Sequence, residues 1–262
     1  MNLKKNFSYP FLSLVISLGI FLITKYIFRE IFGLIIMQYL STDNELFLIK
    51  LFDVGEKLIS LLLAFPCFVI TIKKFNPLLN LQFFPKQKLS FIELFKFTLL
   101  IISFSGIFVL LPPLFFPNQN IPSIIYNTKN LMSDFIFIVI LFPLMEELIF
   151  RNYIYQHLLS FDCRYAILIS ALLFAFGHGN IVNILVSIIP GIILTLIFDR
   201  SKGILYGYII HSLSNFTIGI LLPILLNTLV PSYYIVIFSG FVLSFIIISL
   251  DTLKRYLVLS LS

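Results

Sequence analysis

Tryptophan is missing from the 262 residues, and cysteine (two), histidine (three) and acidic side chains (twelve) are scarce. Each shortage excludes something. Cys67 and Cys163 are too few and too far apart for a disulfide framework or a cysteine-based metal site. Without tryptophan, the aromatic rings at a membrane boundary have to be Tyr and Phe, and Phe is abundant at 31 residues. Only 11% of residues are charged against 60% hydrophobic, with mean hydropathy +1.06; a soluble globular domain carries about 25% charge. No HExxH zinc-protease motif occurs. No internal repeat is found, which weakens an inverted-repeat transporter reading. Lys4 and Lys5 imitate the start of a signal peptide, but no small-x-small cleavage site follows, so the first apolar run is expected to be a retained helix.

What the chain does have is a series of apolar runs close to the roughly 20 residues that cross a bilayer. They predict an all-α, polytopic integral membrane protein with about eight transmembrane helices. The spans are expected at about 9–28, 58–72 (kinked at Pro66), 91–111, 131–160, 164–178, 180–198 (broken or bent at Pro190-Gly191), 203–226 and 233–250. Between them lie a polar, amphipathic connection from Arg29 to Lys57 that includes Asp43, a basic linker from Lys73 to Ser90, a Pro/Asn-rich loop from Pro112 to Asn130, and a tight loop Asp199-Arg200-Ser201-Lys202-Gly203. No loop is long enough for a separate soluble domain. One membrane-embedded domain, 1–262, is therefore expected, with N-terminal helices and linkers in 1–130 and a chemistry-bearing core in 131–226.

The net charge of +6 reads as topology rather than as nucleic-acid binding. Lys4, Lys5, Lys73, Lys74, Lys86, Lys88, Arg164, Arg200, Lys202, Lys254 and Arg255 fall on the side of the termini. Lys25, Arg29, Lys50, Lys57 and Lys129 fall on the other. The excess puts both termini in the cytoplasm. The expected partners are the lipid bilayer and a membrane protein or peptide substrate, not nucleic acid.

Ionisable groups inside such spans are costly, so they mark function by default. Glu146 and Glu147 stand in the fourth span. Glu147 and Arg151 are four apart and can pair on one helix face, whereas Glu146 lies about 100° around the helix and is left to point elsewhere. Pro143 removes one backbone hydrogen bond, frees the carbonyl of Val139 and predicts a kink beside the acids. The blander reading is an interfacial ion pair. In the fifth span, Phe174 and His178 share a face; taken alone, such a histidine is more often a polar helix-end residue. In the seventh, Gly203, Gly207, His211, Asn215 and Gly219 recur every four residues as one stripe. That stripe reads either as a tight packing seam or as an imidazole and a carboxamide offered to a neighbouring helix.

Depth favours a common site. At about 1.5 Å per residue, Glu146 lies roughly 21 Å above Ser160 and His178 roughly 21 Å above Arg164. His211 and Asn215 lie about 12 and 18 Å above Gly203. An acid, two imidazoles and an amide thus reach one layer. Asn180 and Asn183 neighbour His178 with no role assigned, and His157 reads as structural.

These residues resemble the CAAX prenyl protease and bacteriocin-processing family of intramembrane peptidases. Glu146, Glu147 and Arg151 match its EExxxR motif, Phe174 and His178 its FxxxH motif, and His211 with Asn215 its last motif. The resemblance covers about Val139 to Phe216. It implies the eight-helix fold of the eukaryotic Ras-converting endopeptidase. It also implies that Glu146 activates water, that Glu147 and Arg151 organise it, and that His178 positions the water. His211 and Asn215 would stabilise the oxyanion. Whether a divalent metal such as Zn²⁺ is held by Glu146, His178 and His211 stays open: a Glu with two His is a known zinc set, but a base would then have to come from Glu147.

The expected function is hydrolysis of peptide bonds in membrane proteins or membrane-associated peptides, in a peptide-maturation or bacteriocin self-immunity role. The location read from composition is a bacterial cytoplasmic membrane, where a prenylated CAAX substrate is disfavoured. The alternatives are a non-enzymatic membrane scaffold or immunity protein and, more weakly, a proton-coupled transporter.

Overall fold

A computed structural model describes residues 8–39, 45–115, 132, 135–159, 162–179, 181–228 and 232–260. The described residues are helical with no strand. Eight helical runs follow the expected order: α1 (Ser8–Tyr39), α2 (Glu45–Phe75), α3 (Phe91–Phe115), α4 (135–158), α5 (Cys163–Phe176), α6 (Ile181–Ser201), α7 (205–228) and α8 (Ser232–Ser260). Five of the described helices are long and apolar enough to cross a membrane: Phe11–Ile31, Phe91–Leu111, Ile181–Ser201, Leu205–Leu226 and Tyr233–Asp251. Only 6% of the α8 span is buried in the protein, against 44% for α6 and 39% for α7. A helix surface so apolar and so exposed is what lipid tolerates and water does not. The chain is a multi-pass membrane protein, and α6 and α7 are the more enclosed of these five spans.

Several expected boundaries move. The polar connection after the first span is mostly helix, because α1 runs to Tyr39 and α2 begins at Glu45. A helix satisfies its own backbone donors, so polar side chains alone do not end it. Helix α6 passes through Pro190-Gly191 unbroken and continues to Ser201, which shortens the loop to its partner. Lys202 takes a positive φ of 55° at that corner. The Lys4-Lys5 pair, Asp43, Asn180 and residues 116–130 of the Pro/Asn-rich loop lie outside the described residues.

Contacts group the chain into two units. The first joins Met1–Leu81 with Leu148–Ile167. Its aromatic centre is Phe68, edge-on to Phe21 (5.8 Å) and to Tyr153 (6.2 Å). Such edge-to-face pairs supply packing where lipid removes the hydrophobic drive. His157 is buried here and bonds Ser13 Oγ through Nε2 at 2.8 Å. That contact supports the structural reading of this histidine.

The second unit joins Gln82–Glu147 with Leu168–Ser262. One core packs Ile101 of α3 with Ile193, Leu194 and Ile197 of α6 and Ile210 of α7. Another packs Leu110, Leu222, Leu226 and Tyr234, where the Tyr234 hydroxyl donates to the Leu226 carbonyl at 2.7 Å. Lys96 of α3 and Asp251 of α8 form an ion pair. The linker before α3 clasps the corner between α6 and α7 with main-chain atoms. The N–H groups of Ile204 and Leu205 donate to the carbonyls of Gln82 (2.9 Å) and Phe83 (3.0 Å), and those of Lys86 and Gln87 donate to the Ser201 carbonyl (2.8 and 3.0 Å). This satisfies two of the donors that the start of α7 would otherwise leave open. Gly203 faces the Phe84 carbonyl so closely that a side chain has no room there.

Candidate active site

The acids stand on a helix of uneven width. Phe135–Leu141 has π-helical geometry, Phe142–Glu146 is α-helical, and Glu147–Tyr155 is π-helical again. Such wide turns cluster at functional sites. Pro143 lies in the first turn of the α segment and is buried. The amide nitrogen of Asn215 donates to the Ile138 carbonyl at 3.0 Å.

His211 reaches both acids. Its Nδ1 lies 3.1 Å from Glu147 Oε1, and its Nε2 lies 3.5 Å from Glu146 Oε2. Helix arithmetic had divided the acids, giving Glu147 to Arg151 and Glu146 to the histidines. In the structure Glu147 also serves His211. A carboxylate only accepts, so Nδ1 carries a hydrogen toward Glu147, and Nε2 is directed at Glu146. Glu147 is fully buried, while the Glu146 side chain is 28% exposed. Arg151 is fully buried in the first unit.

The glycine stripe of α7 makes room for this arrangement. A Cβ on Gly207 would stand 3.0 Å from Glu147 Oε2, and one on Gly219 would stand 3.9 Å from Ile138 Cγ2. The stripe therefore meets Phe84, Glu147 and Ile138 in turn, all within its own unit.

His178 does not lie in its helix, as expected, but just beyond it. Helix α5 stops at Phe176 because Gly179 adopts φ 81°, a conformation natural to glycine after a helix end. Nδ1 of His178 lies 3.1 Å from the Phe174 carbonyl. A carbonyl only accepts, so Nδ1 carries the hydrogen and Nε2 keeps the lone pair in the neutral ring. The Phe174 ring meets both imidazoles edge-on, with centroids 5.0 Å from His178 and 5.6 Å from His211. The motif phenylalanine thus packs against both histidines. Gly191 gives it room, since a Cβ there would be 3.0 Å from the Phe174 ring.

Glu146, His178, His211 and Asn215 all line one cavity of about 300 Å³, whose wall is otherwise mostly apolar. Asn183, Ser105 and Ser187 add polar atoms to it. Of these only Asn183 drew notice from the sequence. The serines carry no spacing signal, because they come from different helices. Among the described residues, no group of three or more His, Cys, Asp or Glu side chains is placed to hold an ion. Both nitrogens of His211 face carboxylates. As arranged, Glu146, His178 and His211 do not fit a shared Zn²⁺.

Residues 128–217 match a family model described as Type II CAAX prenyl endopeptidase Rce1-like. The match spans all three motifs. No curated protein and no solved structure matches the chain.

Proposed function

From the match of residues 128–217 to a model described as Type II CAAX prenyl endopeptidase Rce1-like, we propose that this chain is an intramembrane endopeptidase of that kind with Glu146 as its base. The observation that carries this reading is His211 standing between two carboxylates, 3.1 and 3.5 Å away, at an apolar cavity. Amide hydrolysis needs a base for water, a donor for the developing oxyanion and a proton for the leaving amine. Glu146 takes a proton from water, and the resulting hydroxide attacks the scissile carbonyl. His178, with its Nε2 lone pair, accepts a hydrogen bond from the same water and orients it. As the C–N bond breaks, the proton held by Glu146 passes to the amine. His211, its Nδ1–H held by Glu147, donates its Nε2–H to the oxyanion. Arg151 is kept from the motif as an organising charge. No step runs through a metal.

The proposed substrates are membrane proteins or membrane-associated peptides. Their scissile segment has to be unwound, since helical carbonyls are already bonded. Prenylated C-terminal peptides are the class that the family description names. Peptide maturation and bacteriocin self-immunity are the roles we propose if the host is bacterial, with eight spans and both termini in the cytoplasm.

The test compares membranes from cells expressing the wild-type chain, Glu146→Gln or His211→Ala at equal levels, with new peptide termini labelled and sequenced. Loss of a base is worth about 10²-fold or more, so the termini made by wild type should vanish in Glu146→Gln. If both variants yield the same termini as wild type, the hydrolase reading is wrong and a scaffold takes its place.

A further inference from the structure

The groups given to the reaction stand on α4, on α7 and in the turn after α5. An unwound substrate asks for more than they supply. Around its scissile bond several main-chain N–H and C=O groups have lost their helical partners, and in a mostly apolar cavity each has to find another. Helix α6, which carries none of the three motifs, is the long wall that meets them. It lends the cavity six residues: Val182, Asn183, Val186, Ser187, Pro190 and Leu194. From Val182 to Leu194 they follow the cavity along about 18 Å of helix. Four of the six are apolar; Asn183 and Ser187 are not.

Ser187 is only 9% exposed. Ser214, the other buried serine of the cavity wall, gives its hydrogen to the Ile210 carbonyl four residues back, at 2.8 Å. Among the described residues, Ser187 makes no such bond. A buried hydroxyl without a partner is costly, and on a cavity wall its partner is whatever fills the cavity. Asn183 stands one turn earlier on the same face of α6. Its carboxamide has two acceptor and two donor positions, so a bond to a neighbour does not use it up.

The spacing of the pair suits one kind of ligand. Residues four apart on an α-helix are separated by about 6 Å along its axis. In an extended peptide, the residues that share an edge recur at every second position, about 6.6 Å apart. Resting on the endopeptidase reading above, we propose that Asn183 and Ser187 are substrate-binding residues. Asn183 Oδ1 and Ser187 Oγ accept hydrogen bonds from the N–H groups of alternate residues in an extended stretch of substrate beside the cut. One face of α6 then serves as the neighbouring strand that an unwound segment lacks. These contacts go to the main chain, so they impose no side-chain sequence. What they select is a segment able to leave its helix.

The experiment uses the full-length protein in detergent and a synthetic peptide spanning the cut that wild type makes in membranes. Each amide near the scissile one is replaced in turn by an ester, which removes the N–H and adds no bulk. In wild type, esters at two alternate residues should each lower kcat/KM about threefold to tenfold, the worth of one hydrogen bond. Ser187→Ala should lower it by a similar factor on the all-amide peptide, through KM rather than kcat. On that variant one of the two esters should cost nothing further, and on Asn183→Ala the other. If Asn183→Ala does not accumulate folded, Asn183→Leu is used, which keeps the bulk without the acceptor. A merely structural role for these residues leaves both ester penalties as they are in wild type, and that result overturns the proposal. A wild type indifferent to every ester overturns it too. Glu146→Gln tells this failure from that of the underlying reading: if it cuts the all-amide peptide as wild type does, the endopeptidase reading fails and the binding proposal falls with it.

Discussion

Adding one methyl group at Gly207 should damage this protein, although the same change in a helix is ordinarily favourable. Replacing Gly by Ala inside a helix gains about 1 kcal/mol, because glycine has more freedom to lose. At Gly207 the new Cβ would meet Glu147 Oε2 at 3.0 Å and its Cδ at 3.6 Å, with Leu194 Cδ2 at 4.0 Å behind. Ordinary contact needs about 3.4 Å, so the carboxylate has to retreat by roughly 0.4 Å. Glu147 is completely buried, and its Oε1 holds His211 Nδ1 at 3.1 Å. Carried onto that bond, the retreat stretches it to about 3.5 Å, where a hydrogen bond has largely gone. Hydrogen bonds to charged groups are worth about 1.5–3 kcal/mol. The loss exceeds the propensity gain, so Gly207→Ala should be destabilised by roughly 0.5–2 kcal/mol. Cleavage should fall about tenfold or more, since the imidazole is no longer held against the acids. Unfolding in mild detergent and counts of the wild-type termini measure the two effects. Gly240→Ala on α8 is the control, because a Cβ there meets nothing within 4 Å. If Gly207→Ala is as stable and as active as Gly240→Ala, the carboxylate does not rest on that glycine and the reasoning fails.

Glu147→Gln keeps the size of the side chain but lets it offer an N–H toward His211, so cleavage should drop by about 10²-fold with little loss of folded protein; equal turnover would remove Glu147 from the site. Phe174→Ala should cost about 3 kcal/mol or more by emptying a packed position. Phe174→Leu should retain most of that stability while losing activity, read as unfolding against cleavage, and an active Phe174→Leu would show that the aromatic ring is dispensable. Exhaustive chelation, checked by elemental analysis, should leave cleavage intact, whereas a loss reversed by added Zn²⁺ would mean that substrate binding regroups Glu146 and the histidines around an ion.

The membrane class, the order of the helices and the meeting of Glu146, His178, His211 and Asn215 are legible from the sequence. Apolar runs of near-bilayer length and helical rise determine all of them. The partners of these residues are not legible. That Glu147 faces His211 depends on the shape of the helix around residue 147, and no residue type announces a π turn. The Asn215 bond goes to a backbone carbonyl, which side-chain spacing never reveals. His178 falls outside its helix because Gly179, not the apolar pattern, decides where α5 stops. Phe174 is visible as half of a motif, but its contact with both imidazoles needs the packing of α5 against α7.

The clasp at the start of α7 has a consequence for how such chains vary. Helix α7 carries His211, and its first donors are held by the carbonyls of Gln82 and Phe83. Every residue type has a carbonyl, so natural variation at positions 82 and 83 should be almost unconstrained in chemistry. Spacing is another matter: one residue inserted between position 83 and α3 shifts those oxygens away from Ile204 and Leu205. Drift without change of length is the pattern to look for in that linker, and a family alignment scored by residue identity would pass over it.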